Sequence, residues 1–103
     1  MYNEKIRKAI ANYYEGYEED EQPLLFGPSG AYDNSIIGFT EDGRAVYDYE
    51  KMVEELVQDD NCTREEAIEW IDYNTIRAIP YAGEHAPIVI NISIEEIIEG
   101  YGE

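Results

Sequence analysis

Glu66, Trp70, Tyr73 and Arg77 follow one another at steps of four, three and four residues. On an α-helix those steps bring side chains to one face. Glu65, Glu69 and Asp72 flank the set, so two large aromatic rings would stand in an anionic rim. That composition suits docking on a cationic protein surface, although the same rings would also serve to cover the edge of a core. A second series, Glu50, Glu54, Glu55, Asp59, Glu65, Glu69 and Asp72, is expected to point outward from two consecutive helices. One helical turn advances about 5.4 Å, close to the spacing of phosphates along a nucleic-acid strand. Such a row could present phosphate-like charges to a groove built for DNA or RNA.

Residues able to carry a reaction are sparse. Cys62 and His85 are the only soft or near-neutral titrating side chains, and they fall in different loops with no motif around them. The stretch from Asp59 has oxygen-bearing side chains at Asp59, Asn61 and Thr63, but Arg64 stands where an EF-hand loop needs glycine and Trp70 where it needs glutamate. Gly27-Pro28-Ser29-Gly30 lacks the lysine and following helix of a phosphate-binding loop, and zinc-ligand spacings are absent. The chain reads as a binding protein, not an enzyme, with no cofactor and no metal.

The elements that would position these residues are legible from periodicity. Asn3 can cap a first helix reaching about Tyr14, with Ile6, Ile10 and Tyr13 or Tyr14 on one face, and Gly16 ends it. Residues 17–35 read as a loop around a short apolar piece at Leu24 to Phe26. Ser35 to Thr40 and Arg44 to Tyr49 form a predicted hairpin, with Gly43 free to take positive φ at the turn. From Tyr49 to Asp59 the pattern is helical, with Met52, Val53, Leu56 and Val57 inward. Thr63-Arg64-Glu65-Glu66 is a capping box opening a helix that should run to Ala78 or Ile79 before Pro80, its core face being Ala67, Ile68, Ile71, Thr75 and Ala78 or Ile79. The β-branched run from Pro87 to Ile92 suits a strand covered on both sides or at the centre of the sheet, and Ser93 caps a last helix from Ile94 to Glu99. The predicted fold is α+β in one domain spanning residues 1–103. A small three-stranded antiparallel or mixed sheet packs against an αα-hairpin, with helices near both ends.

Charge narrows the choice of partner. The chain carries 24 Asp and Glu against 7 Lys and Arg, for a formal net charge of −17. Three of the seven cations, Lys5, Arg7 and Lys8, sit in the first helix. Such a field repels nucleic acid and anionic lipid, favours basic proteins, and speeds their association by steering that salt weakens. A hydrophobic content of 44% with 13% aromatics exceeds that of a disordered acidic tail. A single cysteine, no apolar signal region behind Met1 and no stretch long enough to cross a bilayer point to the cytoplasm. Ten tyrosines against two phenylalanines fit surfaces where a ring is covered while its hydroxyl stays wet.

The stretch from Ala67 to Tyr81, with Ala45 to Tyr49 ahead of it and Pro87 to Ile90 behind, resembles small acidic proteins carried by phages and integrative elements of Gram-positive bacteria. Tyr73-Asn74-Thr75-Ile76-Arg77 is the most specific part, and the likeness spans about residues 36–92. It implies a mobile-element setting, in which small cofactor-free acidic proteins are often inhibitors of host defence, anti-CRISPR proteins among them. Within it, Asn74 is expected to bond to the loop after the helix and Arg77 to pair with a local carboxylate. The leading expectation is therefore an inhibitor that occludes the nucleic-acid groove of a basic defence protein, acting as a DNA mimic in the host cytoplasm. Its partner-binding residues would be Glu50, Glu54, Glu55, Asp59, Glu65, Glu66, Glu69, Trp70, Asp72 and Tyr73. An immunity protein or antitoxin that neutralises a basic toxin nuclease is a second expectation, and an accessory protein whose charge only solubilises it is a third.

Overall fold

Asn3 opens the first helix of the computed structural model, which describes residues 3–27, 30–92 and 94–101. Its side-chain oxygen accepts the N–H of Ile6 at 3.1 Å and so caps α1, Glu4–Tyr13. The chain leaves α1 through Tyr14, which is buried, and turns at Gly16, where φ is +91°. Residues 17–35 are the expected irregular stretch, with short 3-10 turns at Glu19–Glu21 and Asp33–Ser35; Pro28 and Ser29 lie outside the described residues. Phe26 from this stretch enters the core.

Strands β1, Ile36–Phe39, and β2, Ala45–Asp48, pair antiparallel as the hairpin pattern predicts. At the turn the N–H of Thr40 donates to the Arg44 carbonyl at 2.8 Å, the N–H of Gly43 donates to the Thr40 carbonyl at 3.1 Å, and Gly43 takes φ +80°. Strand β2 runs straight into α2, Tyr49–Asp60, because the Asp48 carboxylate caps it by accepting the N–H of Lys51 at 3.2 Å. Met52 and Val53 are fully buried, Leu56 and Val57 partly so, and Asn61 closes the helix at φ +51°.

The capping box at Thr63 forms: the Thr63 hydroxyl accepts the N–H of Glu66 at 3.1 Å while the Glu66 carboxylate accepts the N–H of Thr63 at 2.9 Å. The helix it starts is not the single α-helix expected. An α segment, α3, Arg64–Trp70, widens into a π turn at Ile71–Thr75 and then tightens into a 3-10 segment, Ile76–Tyr81, that runs through Pro80. The π geometry bonds each carbonyl to the N–H five residues on, here Ile71 to Ile76, and the wider turn brings Ile76 back toward the side of Ile71. Ile76 and Ile79 accordingly pack against the core, and Ala78 is exposed.

Strand β3, Ile88–Ile90, runs parallel to β2 in the register Val46 with Ile88 and Asp48 with Ile90. The strand order is β1-β2-β3. The apolar run was expected to be covered on both sides or central, and it is an edge strand of partly buried residues instead. Strand β2 takes the centre, with Ala45 and Tyr47 fully buried, because a strand joining the free side of β2 leaves the hairpin's second strand in the middle. Its parallel direction follows from the helical crossover between β2 and β3. The last helix, α4, Ile94–Tyr101, continues through Gly100 instead of stopping at Glu99, and its expected cap, Ser93, lies outside the described residues. The sheet is thus mixed, and the α+β class stands.

Phe26, Tyr32, Ala45, Tyr47, Met52, Val53, Ala67 and Ile71 make one core. Three carboxylates, Asp33, Asp48 and Glu55, are buried among the described residues. Asp33, fully buried, accepts from Arg7 Nη2 and Nε at 2.8 and 2.9 Å and from the N–H of Asn3 at 2.9 Å, which ties α1 to the body. Among the described residues no helix is long and apolar enough to cross a membrane.

Candidate partner-binding face

Helices α2 and α3 with the π turn carry every residue of the predicted acidic and aromatic surface, and they treat those residues differently. Glu55 is a correction. It is buried at 9% exposure and accepts the Ser35 hydroxyl at 2.6 Å. It falls beside Met52 on the inner side of α2, where a carboxylate is tolerated only with donors of its own. Glu50 is half-buried and held in a two-pronged ion pair by Arg64, at 2.5 and 3.0 Å, which keeps its carboxyl below the usual range. Asp72 is exposed and accepts the hydroxyl of Tyr49 at 2.8 Å. Burial first, then that hydrogen bond and the Asp72 charge, push the Tyr49 phenol up to about 12. Glu66 is turned back onto the backbone N–H of Thr63, the chief cause of its lowered pKa.

The continuous outward row is therefore interrupted. Glu54, Asp59, Glu65, Glu66, Glu69 and Asp72 are exposed, whereas Glu55 is buried and Glu50 half-buried; Glu50, Glu66 and Asp72 each hold a partner within the chain. The aromatic part of the surface comes together as the spacing predicts. Trp70 and Tyr73 are 57% and 63% exposed, and with Glu66, Glu69 and Asn74 they line one shallow groove of about 320 Å³. Two local expectations change. Asn74 does not reach the following loop: its side-chain N–H donates to the Trp70 carbonyl at 3.1 Å, back onto its own helix. Arg77 lies over the Tyr73 ring, 5.4 Å from its centroid, a cation–π contact in place of the expected carboxylate pair.

Cys62 and His85 are engaged separately. The Cys62 thiol donates to the Leu56 carbonyl at 3.7 Å, and His85 Nδ1 is 3.0 Å from the Gly43 carbonyl. Among the described residues no group of three His, Cys, Asp or Glu side chains is placed to hold a metal ion. Sequence reasoning missed the anchoring roles of Ser35 and Tyr49, whose partners lie 20 and 23 residues away. The chain matches no protein-family model, and no curated protein or solved structure is significantly similar to it.

Proposed function

We propose that the protein is a non-catalytic inhibitor carried by a phage or other mobile element, working in the host cytoplasm. It docks its aromatic and acidic face on the nucleic-acid-binding groove of a basic host-defence protein, in the manner of DNA mimics and anti-CRISPR proteins. The observation that carries this reading is the pair Trp70 and Tyr73, more than half exposed in a groove bordered by Glu66 and Glu69, on a chain of net charge −17. Aromatic surface of that size gains little from water and much from a partner's pocket. Glu54, Glu65 and Glu69, exposed on the same pair of helices, supply the field that draws a cationic groove in and sets its orientation. Inhibition by occlusion needs no turnover.

The test is capture of a partner from host lysate at low salt, followed by binding kinetics with that partner. Trp70→Ala and Tyr73→Ala should each weaken the complex by about tenfold or more, mainly through faster dissociation. Reversing Glu54, Glu65 and Glu69 to Lys together should slow association instead. The captured protein's nucleic-acid cleavage should fall as the wild type is added and not with the variants. Unchanged affinity in both sets of variants, with circular dichroism showing them folded, would end this reading. Capture of a basic toxin nuclease would move the same face to an immunity protein.

A further inference from the structure

Away from that face, the end of α1, the β1–β2 turn and the segment bearing His85 enclose a second cavity of about 290 Å³. Its walls include Tyr13, Tyr14 and Tyr17, with Glu21, Glu41 and Asp42. Tyr14 is buried against Phe39, and Tyr13 and Tyr17 meet it edge-on, at centroid distances of 5.0 and 5.1 Å and interplanar angles of 68° and 73°. Rings at such angles form a corner, not a stack. Burial, then the neighbouring Tyr13 and Tyr17, raise the Tyr14 phenol, so the ring stays neutral.

The acidic part of the wall is anchored. Glu21 accepts the N–H of Glu18 at 3.0 Å, and Asp42 accepts the Thr40 hydroxyl, which is the first cause of its lowered pKa. Among the described residues no Lys or Arg forms an ion pair with Glu21, Glu41 or Asp42. The turn is held to its neighbours. A Cβ at Gly43 would meet His85 Nδ1 at 2.9 Å and the Glu21 carbonyl at 3.4 Å, His85 Nδ1–H donates to the Gly43 carbonyl at 3.0 Å, and the N–H of Leu24 donates to the His85 carbonyl at 3.2 Å. These contacts tie the Gly43 turn, the Glu21 segment and the His85 segment to one another.

A corner of electron-rich rings beside the carboxylates of Glu21, Glu41 and Asp42, which no Lys or Arg bridges among the described residues, matches one ligand chemistry. An organic cation gains from ring faces within about 6 Å and from the carboxylate charge. An anion would be repelled, and a neutral apolar group would make no use of the carboxylates. The cavity lies at the lower bound of ligand sites, about 300 Å³, which is room for a head group or one side chain. We propose that this tyrosine corner binds an alkylammonium group, presented by a lysine side chain of a protein partner or by a small quaternary ammonium compound. The site stands independently of the Trp70 face.

The test is NMR titration of the full-length protein with three probes: Nα-acetyl-lysine methylamide, choline, and 3,3-dimethylbutan-1-ol, in which carbon replaces the charged nitrogen of choline. One or both ammonium probes should shift the ring resonances of Tyr13, Tyr14 and Tyr17 saturably, and the neutral alcohol should not. Binding of the lysine probe alone assigns the site to a partner's side chain; binding of choline alone assigns it to a free quaternary ammonium. Tyr13→Ala and Tyr17→Ala, at positions 74% and 50% exposed and so removable without opening the core, should each weaken binding by roughly three- to thirtyfold. Tyr17→Phe should retain binding and Glu41→Gln should weaken it. Equal affinity for the alcohol, no saturable shift with either ammonium probe, or a Tyr17→Phe variant as weak as Tyr17→Ala would overturn the assignment. None of these readouts depends on the partner of the Trp70 face.

Discussion

Asp33 shows how little a residue's type says about its place in this molecule. It is one of 24 acidic residues, in a stretch rich in glycine and proline, yet it is fully buried with two bonds from the Arg7 guanidinium. Glu55 repeats the lesson: helical spacing placed it outside, and the Ser35 hydroxyl draws it in. Nothing local marks either residue, because each partner lies 20 or more positions away in sequence. What was legible at this scale was the exposure of Trp70, Tyr73, Glu54, Glu65 and Glu69, which depends only on helix periodicity. The Arg7–Asp33 pair makes a sharp prediction. Arg7→Ala leaves a carboxylate stranded without its counter-charge, and should cost about 3–5 kcal/mol. Adding Asp33→Ala to Arg7→Ala should recover part of that loss, since no buried charge then remains at that site. Urea denaturation of the two single variants and the double variant measures the coupling; a double variant as unstable as the sum of the singles would show that the two residues act independently.

Among the elements, those set by short-range chemistry were read correctly, and those set by packing were not. The Thr63 capping box needs only residues three apart, and the hairpin only a turn that tolerates positive φ at Gly43. The π turn at Ile71–Thr75 has no such local mark, and through it Ile76 reaches the core, where an uninterrupted α-helix would have turned it away. The place of β3 was likewise hidden, since a run of Ile, Val and Ile looks the same at an edge as at a centre, and its neighbours are chosen by the crossover. The cap is the element whose energetics are simplest to test. Thr63→Ala removes the acceptor for the Glu66 N–H and should lower stability by about 0.5–2 kcal/mol. Adding Glu66→Ala should cost little more, because the box works as a reciprocal pair. Thermal unfolding of the single and double variants checks this, and fully additive losses would mean that the two bonds form separately.

For the molecule as a whole, the net charge of −17 is spread over a body with principal extents of 42, 34 and 27 Å. At about 0.01 M salt the screening length is roughly 30 Å, so carboxylates across the whole body repel one another; at about 0.1 M it falls to roughly 10 Å, and only near neighbours do. Salt should therefore stabilise the isolated protein. If screening relieves about 1 kcal/mol of self-repulsion, Tm rises by roughly 4–8 °C for a domain of this size. The same screening acts with the opposite sign on the proposed complex, because there the acidic field is met by a cationic groove and its attraction is what salt removes. Differential scanning calorimetry of the free protein and association kinetics with a captured partner, each over the same range of sodium chloride, read the two signs side by side. Rising Tm together with falling association rate is expected. A Tm that falls over that range would mean that local pairs such as Arg64–Glu50 and Arg7–Asp33 outweigh the long-range repulsion, and that the charge is better balanced within the fold than its total suggests.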